Sequence, residues 1–241
     1  MQTAALFRLD GVPPAAPVTA VARKRAASPD GMDLRLAQLL CARVCHDLIG
    51  AAGAIETGVE LLAEDSADQA DIFDLIGLSA RQLNRRLAFY RLAFGMSGRA
   101  GDGRPASEVR RLVEGFLDGG RVTLRWEIGS AGADADRLGG QETRMLLCAV
   151  LVAAEGLPRG GELTVRLAGA GTTLAVEARG KNGAVPDPIA AALAEGADLD
   201  AVTARTVPAY YLRMQSRSFA MDLDLRQEDG GFILGIATSP R

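Results

Sequence analysis

Residues Leu39–Ile55 read LLCARVCHDLIGAAGAI, and the spacing of their apolar residues decides how the first third of the chain folds. Leu40, Val44, Leu48, Ala52 and Ile55 recur every three or four residues, the period of one helix face. The row continues outward to Leu36 on one side and to Val59 and Leu62 on the other. Roughly eight turns at ~3.6 residues each make a long helix, starting at Met32 and ending near AEDSAD, residues 63–68, where polar residues collect. A second stripe of Ile72, Leu75, Ile76, Leu83, Leu87, Tyr90 and Phe94 predicts a second helix from about Asp68, with Gly95 and Gly98 marking its end. Two long helices joined by few residues form an antiparallel hairpin. One hairpin exposes too much apolar surface alone. It would be covered by a second copy, giving a homodimeric four-helix bundle, or by the rest of this chain.

The flanking segments read differently. GVPPAAPVTAVARKRAASPDG, 11–31, has no sustained period, so 1–30 is expected to be a flexible arm before a hairpin over 31–98. SGRAGDGRP, 97–105, breaks the helical pattern, which places a linker at 99–106 and a second domain at 107–241. There Val109, Leu112, Val113, Phe116 and Leu117 make a short amphipathic helix with Ser107 placed to cap it. Alternating Val122, Leu124, Trp126 and Ile128 make a strand over 121–128. A helix over 141–155, strands around Leu163–Leu167 and Leu174–Val176, a helix over 204–218 and strands near 219–225 and 231–237 follow. The fold class is α+β: a helical hairpin, then an α/β sandwich with helices on one face of a sheet.

Composition limits the function. The chain has 241 residues, enough for a sizeable core. Its net charge of -3 argues against a general nucleic-acid binder, which would be basic. Three cysteines make no disulfide framework, no apolar run has membrane length, and the N-terminus lacks a signal-peptide pattern. A cytoplasmic protein with no membrane partner is expected.

His46 is the only histidine in the chain. It stands two residues from Val44, about 200° around the helix at ~100° per residue, so it points away from the apolar stripe. Arg43, Asp47, Gly50, Gly53 and Thr57 are its neighbours on that face. Each glycine costs about 1 kcal/mol relative to alanine inside a helix, and a bare surface beside an imidazole lets another protein's backbone come close. Imidazole, largely neutral at cellular pH, has one free lone pair. A carboxylate one residue along can orient the other nitrogen and hold its proton. Such a histidine can take a phosphoryl group covalently and pass it on. It can equally be a surface histidine without a role.

Other constellations are weaker. Cys41 and Cys45 are one turn apart, but His46 is turned about 100° from Cys45 and zinc needs more ligands; two small buried residues is the simpler reading. CARVCH has three residues between its cysteines, not the two of a c-type haem motif. Arg81, Arg85, Arg86 and Arg91 read as a solvated face, and Tyr210, Tyr211 and Phe219 as core or interface residues. Gly160-Gly161 is a turn before a strand.

Met32–Gly98 resembles the dimerisation and phosphotransfer helices of histidine kinases, whose first helix carries a histidine followed by an acidic residue. The closer resemblance is to the ChpT family of alphaproteobacterial histidine phosphotransferases, through ARVCHDLI at 42–49 and FYRLAFG at 89–95. By that resemblance His46 is the phospho-acceptor, Asp47 its acid/base partner, and Arg43, Gly50, Gly53 and Thr57 the surface that meets a response regulator. Kinase helices usually carry a proline about one turn after the histidine. Gly50-Ala51 stands there instead, which predicts a straighter helix.

The second domain resembles, more distantly, the ATP-binding domain of kinases. Its kinase-like helix, MLLCAVLVAAEGLPRGGELTV at 145–165, lacks the asparagines that would hold magnesium and phosphates. In VEARGKNG, 176–183, Glu177 comes too early for the adenine-binding aspartate and Arg179 stands near its place. TARTVP, 203–208, replaces a glycine-rich phosphate turn. The resemblance therefore implies a phosphorelay intermediate without ATP binding and with no cofactor of its own. Magnesium would come with partner receiver domains, one on a hybrid histidine kinase and others on CtrA-like response regulators. A non-catalytic dimeric adaptor that binds receivers, and an active histidine kinase, remain as alternatives.

Overall fold

The structure, a computed structural model, describes residues 29–63, 69–95, 103–129, 137–168 and 173–238. The arm expected over 1–30 lies almost wholly outside them, as do 96–98 at the end of the expected hairpin and 99–102 of the expected linker.

Helix α1, Pro29–Ala63, runs unbroken for 35 residues, as a chain without the kinase proline should. Helix α2, Gln69–Ala93, runs back along it. The α1 stripe divides along its length. Leu36 is buried, and Leu40, Val44 and Leu48 are half-buried. Beyond Gly50, Ala51 and Gly58 are buried, a β-carbon on Gly58 would meet Ile76 and Ile72 of α2, and Val59 is 55% exposed. On α2, Ile72 and Tyr90 are buried, but Phe73 and Leu87 are exposed. The hairpin thus keeps an uncovered apolar flank on both helices.

A two-residue strand β1, Arg104–Pro105, pairs antiparallel with β3, Arg137–Leu138, and brings the chain into α3, Ala106–Leu117. Pro105 holds the cap position with no side-chain cap, and Ser107 lies inside the helix. The expected serine cap is therefore incorrect: the chain enters α3 directly from β1, and proline's fixed φ suits that junction.

The main sheet has the order β2-β4-β5-β7-β6, with β2 Val122–Ile128, β4 Gly161–Ala168, β5 Thr173–Arg179, β6 Met221–Glu228 and β7 Gly231–Thr238. Among the described residues, only β2 and β4 pair in parallel. A parallel pair needs a crossover, and α4, Gly140–Glu155, supplies it. Gly160 stands just before β4 with φ +88°, and a β-carbon there would collide with the Arg121 carbonyl, so the chain turns into the strand as expected and needs glycine there. Alternation puts Leu163, Val165, Val176, Ala178, Phe232, Leu234 and Ile236 on the core face. The opposite face carries an ion-pair ladder in which Glu177 binds Arg166 and Arg179.

Among the described residues, helices cover the core face alone. Met145 to Ala153 are at most 1% exposed, so α4 is apolar on every side. The sheet lies under it, with α2 and α6, Val207–Ser218, against its other sides. The short α5, Asp187–Leu193, and a 3-10 turn at Leu199–Ala201 were not expected from sequence. They deliver Ile189, Leu193 and Leu199 to the core. Phe89 stacks on Phe116 at 4.2 Å between ring centres, and Phe94 meets Tyr211 edge-on at 5.8 Å, so aromatic packing joins hairpin to sandwich. That confirms the interface reading of Tyr211. Among the described residues, no helix is long and apolar enough to cross a membrane.

Candidate functional site

The side chain of His46 is 82% exposed, whereas that of Asp47 is only 12% exposed. The exposed imidazole is backed by a largely buried carboxylate. His46 Nδ1 lies 3.0 Å from Asp47 Oδ1. On the other oxygen, Oδ2, two donors converge: Arg43 Nε at 2.9 Å and the Tyr90 hydroxyl. Arg86 donates to the Asp47 backbone carbonyl.

The electrostatics follow from this crowding. Burial pushes the Asp47 carboxyl up, but the Tyr90 hydrogen bond, the Arg43 charge and the His46 and Arg43 hydrogen bonds outweigh it, so its pKa lies below the ordinary value. Burial pushes the Tyr90 phenol up, and its hydrogen bond to Asp47 and the Asp47 charge push it further. Tyr90 is therefore a donor at any cellular pH. Burial works against the Arg43 charge, but Asp47, Tyr90 and Glu155 together hold its pKa above normal. An ionised carboxylate can only accept, so the proton in the His46–Asp47 contact sits on Nδ1. The Nε2 lone pair is left free on the exposed side of the ring.

Arg43 reaches the second domain. Its Nη1 donates to Glu155 Oε1 at 2.6 Å, at the last turn of α4, and Glu155 Oε2 accepts from Arg205 Nε at 2.8 Å. A cleft of about 520 Å3 opens here, lined by Arg43, His46, Asp47, Glu155, Thr203, Ala204 and Arg205. The segment read as a replaced phosphate turn thus forms one wall beside the histidine.

The expected site residues separate into two groups. His46 and Asp47 are brought together. Gly50 and Gly53 lie on the same side, and a β-carbon on either would meet nothing within 4 Å. Thr57 is exposed on that side, about one turn beyond Gly53. Arg43, expected on the exposed face, is turned inward: it is 8% exposed and committed to Asp47 and Glu155. This side of α1 packs toward α6, and Arg43 reaches Glu155 at the end of α4. Arg86 is likewise half-buried rather than solvated. Cys41 and Cys45 are exposed, not buried, because they stand on the side of α1 away from Arg43. Among the described residues, no group of three metal-ligating side chains forms.

Tyr90, Glu155 and Arg205 were not singled out from sequence. Tyr90 carried a signal, a hydroxyl inside an apolar stripe where leucine would pack as well. Glu155 carried a fainter one, as the acidic residue closing an otherwise apolar helix end.

The family model described as "Histidine phosphotransferase C-terminal domain" matches residues 106–231. The chain is 32% identical to "Protein phosphotransferase ChpT" of Brucella abortus (strain 2308) over 194 residues, 80% of this chain and 90% of that protein. It resembles a solved structure described as a bacterial phosphotransferase with a TM-score of 0.71 and 28% identity, over 84% of this chain and 96% of that one. A fainter likeness, TM-score 0.43 at 11% identity over 80% of this chain and 97% of that one, is to the Acinetobacter baumannii histidine kinase AdeS.

Proposed function

The chain belongs to the histidine phosphotransferase family, and from that premise we propose that it relays phosphoryl groups through His46. A phosphorylated aspartate on the receiver of a hybrid histidine kinase is the donor. The aspartate of a separate response regulator, of the CtrA-like class, is the acceptor. The observation that carries this reading is the pairing of an 82% exposed imidazole with a largely buried, ionised carboxylate behind it. Gly50 and Gly53 add open surface beside the ring, where a receiver's backbone can approach.

The chemistry balances without a proton leaving the site. The Nε2 lone pair forms a bond to phosphorus as the bond from phosphorus to the aspartyl oxygen breaks, and the leaving carboxylate keeps that electron pair. The phosphohistidine ring becomes cationic, with its Nδ1 proton still held by Asp47. Receivers bring magnesium for both transfers, so the chain needs no cofactor of its own.

The same reading assigns no ATP binding. In support, α4 buries apolar side chains where a nucleotide site would need polar ones. Glu177 is engaged by Arg166 and Arg179 on the sheet's outer face. The reading also includes a homodimer in the cytoplasm, in which a second hairpin covers the exposed Val59, Phe73 and Leu87.

The test mixes purified protein with labelled ATP, and separately with a labelled phospho-receiver, beside His46→Ala. Label from the receiver alone, absent in the variant, is expected. Label from ATP would make the chain a kinase. Receiver binding without any label would favour an adaptor.

A further inference from the structure

We propose that Tyr90 and, through Arg43, Glu155 are positioning residues that fix the tautomer of His46; this rests on the phosphotransfer reading for its consequence, though not for its test. Asp47 is a neighbour of His46 in sequence, but adjacency on a helix does not aim a carboxylate. A free aspartate side chain rotates about two bonds and shares its oxygens with water. Here rotation is blocked, because Tyr90 and Arg43 both hold Oδ2, and only Oδ1 is left to His46.

Each support is itself held. The Tyr90 ring lies 5.4 Å from that of Phe94, nearly parallel, and meets Phe116 edge-on at 6.0 Å. The hydroxyl is therefore delivered by packing against both α2 and α3. Arg43 spans two carboxylates, Asp47 on its own helix and Glu155 on α4. Glu155 is kept in place by Arg205 from the loop before α6. The second domain thus acts on the histidine without touching it, a use for the fold that needs no nucleotide. Imidazole in water favours its proton on Nε2, the wrong nitrogen for an attack from the exposed side. Holding it on Nδ1 presents the Nε2 lone pair whenever the ring is neutral.

The test uses the chain's one histidine, which gives a single pair of imidazole nitrogen signals. Uniformly 15N-labelled protein is recorded by long-range 1H–15N correlation at a pH where the ring is neutral. The wild type is expected to show a protonated Nδ1 and a bare Nε2. Tyr90→Phe, which keeps the ring packing, is expected to move both signals toward an exchanging mixture. It should also slow transfer from a phospho-receiver by about ten- to a hundredfold, by analogy with the loss when a partner behind a metal-ligating histidine is removed. Glu155→Gln is expected to shift the signals in the same direction by a smaller amount.

A wild-type histidine protonated on Nε2 would overturn the proposal. So would a Tyr90→Phe variant that loses transfer while its tautomer is unchanged, because Tyr90 would then act in some other way. An unchanged tautomer in Glu155→Gln would remove the second domain from it. If no receiver labels the wild type, the phosphotransfer reading fails, while the nitrogen signals still decide the positioning.

Discussion

Gly58 of α1 and Ile76 of α2 meet with no room for a β-carbon between them: one built on Gly58 would stand 2.5 Å from Ile76 Cγ1. Gly53 and Gly50, roughly one and two turns earlier, face open space. Glycines on one helix therefore do opposite things. Gly58→Val is expected to destabilise the chain by about 1–3 kcal/mol through overpacking, read as a lower midpoint in chemical denaturation.

Replacing Gly50 or Gly53 by alanine should have the reverse effect on stability. No contact is lost and helix propensity improves, so each change is expected to add up to about 1 kcal/mol. If these positions serve a docking receiver, the same variants should receive phosphoryl groups more slowly. A more stable variant with undiminished transfer would show that the open face is not the docking face.

The Asp47 carboxyl predicts an acid-sensitive site. Its folded-state pKa is below the ordinary value, so the unfolded chain binds this proton more tightly than the folded one. The stabilisation is fully present above the unfolded value of about 3.9 and is lost as pH falls through the lower folded value. Below about pH 4 the wild-type melting temperature should fall more steeply than that of Asp47→Asn, which has no proton to bind there. Parallel melting curves across that window would contradict the assignment.

The uncovered flank of the hairpin predicts association. Val59 lies on the other side of α1 from His46, and Phe73 is 60% exposed on α2. Phe73→Asp is expected to convert a dimer to a monomer in sedimentation velocity, since a charge there has no place in an apolar seam. A wild type that sediments as a monomer would remove the dimer from the proposal.

What was legible in the sequence follows the physics of each element. Long amphipathic helices and alternating strands repeat one rule many times, so α1, α2 and the five main strands were readable, as was the placing of His46 off the stripe. Helix α5 was not, because Asp187–Leu193 is too short to show a period and is held by Ile189 and Leu193 entering a distant core. The missed members of the site share one cause. Tyr90 and Glu155 are 43 and 112 residues from their partners Asp47 and Arg43, and nothing local in a sequence marks such a pairing. Arg43 was misplaced for the same reason: periodicity shows which side of a helix is apolar, but not that a second domain closes over the polar side.

Arg43 carries the last prediction. Its guanidinium bridges Asp47 and Glu155, whose side chains are 12% and 18% exposed, so its loss leaves two poorly hydrated carboxylates facing one site. Arg43→Ala is expected to destabilise the chain by on the order of 3 kcal/mol, the usual result of removing one partner from a buried pair. Arg43→Lys should restore part of the stability, because a positive charge returns. It should not restore phosphotransfer to the same degree. An ammonium is a compact point charge without the planar fork that reaches Asp47 through Nε and Glu155 through Nη1. Measuring unfolding midpoints and receiver-to-protein transfer rates on the same preparations separates charge from geometry. If lysine rescues both in proportion, the arginine contributes charge alone.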